Sequence, residues 1–138
     1  MRYSIKLFIT NLLLIFAGIT LMGQNTLTIH VIDLNSNNGS VVLELCNSNN
    51  IVVKGVNNEI NEYCSKITIE ELPTGQYSFR YFHDINKNER LDTRFRIIPK
   101  EGFGFSNNAN GKFGPPDHEE TLFWIEHDTT VTVTPIYY

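Results

Sequence analysis

Four oxygen-bearing side chains recur at short intervals in the stretch HDINKNERLD: Asp84, Asn86, Asn88 and Asp92 stand at relative positions one, three, five and nine. Calcium loops use that spacing to fold ligands round a hard cation, with a backbone carbonyl at position seven, here that of Arg90. Glu89 occupies the sixth position, where an EF-hand has glycine, and Phe95 the twelfth, where it has a bidentate acid. The loop is therefore not an EF-hand, and an ion would need a further donor such as Glu89, Glu101 or Asp117. The same residues also suit an Asx turn, in which short Asp and Asn side chains accept from their own backbone without any metal. Two readings follow: Ca2+ as the one cofactor, or a polar turn.

A second cluster lies downstream. Phe103, Phe105 and Phe113, with Asn107 and Asn108, crowd a Gly- and Pro-rich stretch and are candidates for ordering that loop or for contacting a carbohydrate or protein ligand. The run KEGFGFSN resembles the basic-Gly-aromatic-Gly-aromatic strand of RNA-recognition motifs, but Glu101 interrupts it and Ser106 stands where an aliphatic is needed. Gly102 and Gly104 then permit a tight bend, with Phe103 and Phe105 plugging the core or packed on the edge of the fold. His30, His83, His118 and His127 form no HxH or HxxxH pair, and no G-x-S-x-G is present. The alternative to a binding module is a small hydrolase gathering Asp84, Glu101 and His118 round the loop, which requires those side chains to converge.

Charge and the N-terminus bound the class of partner. Arg2 and Lys6 precede an apolar run from Leu7 to Met22 that turns polar at Gln24, the form of an export leader; an uncleaved N-terminal anchor is the alternative. Removing residues 1–24 takes Arg2 and Lys6 from the eleven Lys+Arg and leaves nine against fifteen Asp+Glu, a net charge of −6. That balance excludes a nucleic-acid partner bound through its phosphates, and no second apolar run supplies a stable membrane span. The expected location is secreted or periplasmic. There the only cysteines, Cys46 and Cys64, could pair, and strand parity puts both on solvent-facing sides; two free thiols are the other outcome.

The elements that must position these residues read as strands. Leu27, Ile29 and Val31 alternate with polar residues, as do Val41, Leu43 and Leu45, and the intervening NSNNG suggests a hairpin. IVVKGV (51–56) suits a loop or an edge strand. In KITIEELPTGQYSFRYF a strand, a Pro/Gly turn and a second strand follow one another. From Thr93 to Glu119 no period survives, and two strands close the chain, in TLFWIE and TTVTVTPIYY. The expectation is an all-β protein: residues 25–138 as one β-sandwich of six to eight strands, immunoglobulin-like or transthyretin-like, with one long Gly/Phe/Asn-rich loop.

Two resemblances bear on this. LPTGQY is similar to the L-P-x-G-x-Y turn of transthyretin-like sandwiches, which implies that Tyr77 enters the core. The leader, the stretch FHDINKNERLDT, then PKEGFGFSNNANGKFGPP and a closing strand resemble, in order, the exported bacterial family called domain of unknown function 2141. That resemblance implies the fold, export and an intact long loop, and supplies no catalytic residue.

Overall fold

A computed structural model describes residues 24–138. The expected leader and its anchor alternative lie outside them, except for Gln24, which opens the first strand.

Among the described residues ten strands form, four of them only two or three residues long: β1 Gln24–Val31, β2 Ser40–Asn47, β3 Val52–Glu59, β4 Ser65–Pro73, β5 Gly75–Asp84, β6 Thr93–Arg94, β7 Ile98–Pro99, β8 Phe103–Phe105, β9 Phe123–Ile125 and β10 Thr129–Val133. A one-turn α-helix, α1, spans His118–Thr121, and a 3-10 turn lies at Ser106–Asn108. The first sheet has the order β10-β1-β4, and the second runs β3-β2-β5, with β8 and β9 sharing the far edge of β5. The β6–β7 ribbon stands apart.

Alternation builds the core. Leu27, Ile29 and Val31 of β1 and Val41, Leu43 and Leu45 of β2 are fully buried, because period two puts each set on one face and the sheets close those faces together. Ile67, Ile69, Phe79, Tyr81, Ile125 and Val133 complete it. Each fully buried aliphatic or aromatic side chain contributes about 1.5–3 kcal/mol to holding the two sheets together.

The expected hairpin between β1 and β2 does not form. β1 pairs with β4 and, in parallel, with β10, whereas β2 pairs with β3 and β5. The connection carries buried Leu34, whose N–H donates to Tyr63 O at 3.0 Å, and so crosses between the sheets. Period two fixes which face is apolar but not which strand is the neighbour. LPTG crosses in the same way, from β4 to β5. Tyr77 is buried as the resemblance implied, its hydroxyl donating to Pro73 O at 2.7 Å. The segment 51–56 lies in β3, an edge strand.

The long segment after Thr93 is not one loop. β8 joins β5 through Phe82↔Phe103 and Arg80↔Phe105, and Gly104 makes no bend there. A Cβ at Gly104 would come within 2.6 Å of Tyr81 Cζ, so the glycine lets that buried ring lie on the strand. The Tyr81 hydroxyl has no hydrogen-bond partner among the described residues. Burial, with the Tyr137 phenol adding to it, pushes its pKa above the ordinary tyrosine value; burial likewise raises Tyr77 and Tyr137. A raised folded-state pKa stabilises below the unfolded value near about 10, and that stability is lost as pH rises through the folded value. Urea unfolding should therefore show stability falling above about pH 10, and Tyr81→Phe should flatten the fall while costing less than about 1 kcal/mol at pH 7. A larger loss at pH 7 would mean that the hydroxyl has a partner.

The cysteines stay separate thiols. Cys46 lies on β2 opposite Ser78, whereas Cys64 bridges Asn61 at the end where β2 begins, about 20 Å away at 3.3 Å per strand residue. Strand parity also misplaces Cys46: it is buried, because Pro115, Pro116 and His118 fold over that part of the outer face. Burial pushes its thiol pKa up, which keeps it protonated and poorly nucleophilic.

Candidate functional site

The polar loop closes on itself at the end of β5. Asp84 is fully buried, and its two oxygens accept from Asn88 N (3.1 Å) and Glu89 N (2.8 Å). Asn86 and Asn88 both donate side-chain N–H to the Asp92 carboxylate, at 2.6 and 3.1 Å, while Asn88 Oδ1 accepts from Arg90 N at 3.0 Å. Glu101, 5 % exposed, reaches in from the approach to β8 and accepts from Ile85 N at 2.9 Å and Asp92 N at 3.0 Å. Two buried carboxylates thus satisfy four backbone donors that would otherwise be orphaned. Lys87 and Glu89 take left-handed backbone angles, φ 58° and 59°. Glu89 therefore adopts the sixth-position turn for which calcium loops use glycine. Among the described residues, no three acidic, histidine or cysteine side chains converge as a metal-holding group.

The hydrolase trio is not assembled. Asp84 and Glu101 serve the same loop, but His118 lies beside Cys46 and Ser78 and bonds Ser48 O at 2.9 Å. Ser78 is six residues from Asp84 along β5, about 20 Å. His83 is also buried. Its Nε2–H donates to Asn38 O at 2.7 Å, which leaves Nδ1 to accept from the Tyr137 hydroxyl at 2.9 Å, and that hydroxyl accepts from Asn35 N at 3.1 Å. The histidine is a structural tie between the C-terminal tail and the first inter-sheet crossing.

The phenylalanine cluster divides. Phe103 and Phe105 face outward from β8, half-buried, with an edge-to-face contact at 6.3 Å between centroids. Strand register sets them in two rows across the outer face of the second sheet: Val42–Phe82–Phe103, then Glu44–Arg80–Phe105. Arg80 Nε donates to Glu44 Oε2 at 2.7 Å, and Leu91 and Glu89 close one side of a groove of about 290 Å³. Phe113 is fully exposed and stands outside the groove. Asn107 and Asn108 order the segment instead: Asn107 Nδ2 donates to Glu120 O (3.1 Å) and Leu122 O (2.9 Å), and Asn108 Oδ1 accepts from Thr134 N (3.0 Å). Residue types alone do not reveal Val42, Arg80 and Phe82 as partners of Phe103 and Phe105. Opposite parity to buried Leu43 and Tyr81 is the signal that marks them.

Fold and groove define an all-β sandwich with an aromatic, open outer face. A family model described as "Uncharacterized protein conserved in bacteria (DUF2141)" matches residues 29–133, and the chain belongs to that family. Neither a curated protein nor a solved structure matches it.

Proposed function

We propose that this is an exported, non-catalytic binding module whose ligand seat is the outer face of the second sheet, and that the ligand is a carbohydrate. The observation that carries the reading is the pair of cross-strand rows, which set the half-exposed rings of Phe82, Phe103 and Phe105 beside the Arg80–Glu44 pair. Open aromatic surface suits the C–H face of a sugar ring, and a guanidinium beside a carboxylate offers fixed donors and acceptors to adjacent hydroxyls. Ligand sites combine mostly apolar lining with a few such placed polar groups. Titrating residues 24–138 with a panel of soluble neutral oligosaccharides, followed by backbone amide NMR shifts, should move Phe103, Gly104 and Phe105 with at least one member. Phe103→Ala should weaken that member by roughly tenfold. No response across the panel would turn the reading toward a protein ligand.

A second reading concerns the loop, and the left-handed Glu89 together with the carboxylate of Glu101 favours it. Under it, the 84–92 loop takes up calcium once the ion displaces the Asn86 and Asn88 amides from Asp92. Calorimetry should then give saturable heat, and calcium at ten times Kd should raise Tm by about 3–6 °C over chelator, an effect lost in Asp92→Ala. Equal melting in calcium and chelator would leave the loop as a hydrogen-bonded turn alone.

A further inference from the structure

The β6–β7 ribbon buries almost nothing. Phe95 is 87 % exposed, Ile97 81 % and Ile98 46 %, and among the described residues none of the core covers them. Ile97 N–H closes the tip on Arg94 O at 3.1 Å, with Phe95 and Arg96 both left-handed, φ 52° and 62°. That turn usually takes Asn and Gly, so two large side chains are held outward at a conformational cost with no return inside the monomer.

Charge is segregated to match. Five of the nine cations after residue 24 (Lys87, Arg90, Arg94, Arg96 and Lys100) fall in residues 87–100 against two acids, Glu89 and Asp92, a local charge of +3. The remaining four cations and thirteen acids give −9. None of the five forms an ion pair among the described residues, where the one salt bridge is Arg80–Glu44. Strand register sends Glu70, Glu71 and Glu126 toward the end where β5 begins, with Leu72↔Asn25 and Ile125↔Gly75, while the ribbon leaves from the end where β5 stops.

We propose that this ribbon docks the protein peripherally on an anionic phospholipid surface, with Phe95 and Ile97 inserted among the acyl-chain ends and the arginines paired with headgroup phosphates. Cations beside apolar side chains are the composition of interfacial anchors. A protein partner is disfavoured by size, since a specific interface takes about 800 Å² from each side and a ribbon with two residues per strand offers less. A nucleic-acid partner would leave Ile97 and Ile98 in water, because aliphatic side chains give bases no stacking surface. The local charge of +3 on residues 87–100, against −9 on the rest of the chain after residue 24, orients the ribbon toward an anionic surface. The base is rigid: Asp92 N is held by Glu101, and Lys100 N donates to Asp92 O at 2.8 Å. This inference stands independently of the carbohydrate reading.

The test is co-sedimentation of residues 24–138 with sucrose-loaded vesicles at about 0.1 M salt. Residues 24–138 hold the whole described core, and the apolar segment 7–22 would partition into lipid by itself. The protein should pellet with vesicles of about one phosphatidylglycerol to three phosphatidylcholine and stay in solution with phosphatidylcholine alone. Phe95→Ser with Ile97→Ser should weaken partitioning roughly 100-fold, and Arg94→Ser with Arg96→Ser roughly tenfold or more. Both pairs should keep the parent Tm, since neither touches the core. No pelleting of the parent protein, or equal pelleting of parent and both variants, would overturn the proposal. So would loss in the arginine pair alone with competition by a single-stranded oligonucleotide, which would mark a general polyanion site.

Discussion

Gly39→Ala should lower the unfolding free energy of residues 24–138 by about 3 kcal/mol or more, the largest effect of any single methyl addition expected in this protein. Gly39 has φ 80°, a left-handed conformation that costs a residue with a side chain about 1–2 kcal/mol. The new Cβ would also collide with the Asp84 carbonyl oxygen and stand 2.7 Å from Ile85 Cα. Both are backbone atoms, and Asp84 is tied to Ser40 across β2 and β5, so neither can withdraw without opening the sheet. Gly55 provides the control, because a Cβ there meets nothing within 4 Å. Gly55→Ala should change stability by less than about 1 kcal/mol and can raise it, since alanine reduces the freedom of the unfolded chain. Urea unfolding of the two variants side by side measures both, and equal small effects would refute the packing at Gly39.

Asp84→Ala should cost about 3 kcal/mol, and Glu101→Ala about 2 kcal/mol, because each removes a buried charged acceptor from two backbone N–H groups. The two losses should not add. Asp84 holds Asn88 and Glu89, Glu101 holds Ile85 and Asp92, and once either lets go the other has a loose segment to bind. The double variant should therefore fall short of the sum by about 1 kcal/mol or more, as residues sharing one network do. Trypsin gives an independent readout. Arg90, Arg94 and Arg96 lie in or beyond the held loop, and each variant should be cut there faster than the parent under conditions where the remaining sandwich stays intact. Additive losses with unchanged cleavage would mean that the two carboxylates stabilise separate structures.

The same stapled loop shows where sequence reasoning succeeds and where it stops. The spacing of Asp84, Asn86, Asn88 and Asp92 offered both a calcium loop and a self-bonding Asx turn, and the hydrogen bonds of the turn are legible because their donors and acceptors lie within a few residues. Glu101 could be named only as one of several distant donors, since its approach depends on β8 pairing with β5. His83 looks unremarkable beside Asp84, yet it is tied to Tyr137, a partner 54 residues away.

Alternation of apolar and polar residues determined that the protein is an all-β sandwich and which strand faces are buried; the resemblance of LPTGQY implied that Tyr77 enters the core, and 51–56 suited either a loop or the edge strand that it forms. Those properties follow from the two-residue period and the chemistry of turns, both local. Tertiary structure alone decided that β1 and β2 lie in different sheets, that the two cysteines stand at opposite ends, and that Phe82, Phe103 and Phe105 share one face with Arg80 and Glu44. It also decided that Phe95 and Ile97 remain uncovered. Pairing, register and burial are relations between segments far apart in the chain, and each is settled by which neighbour excludes water from a given face, a quantity that no single stretch of sequence contains.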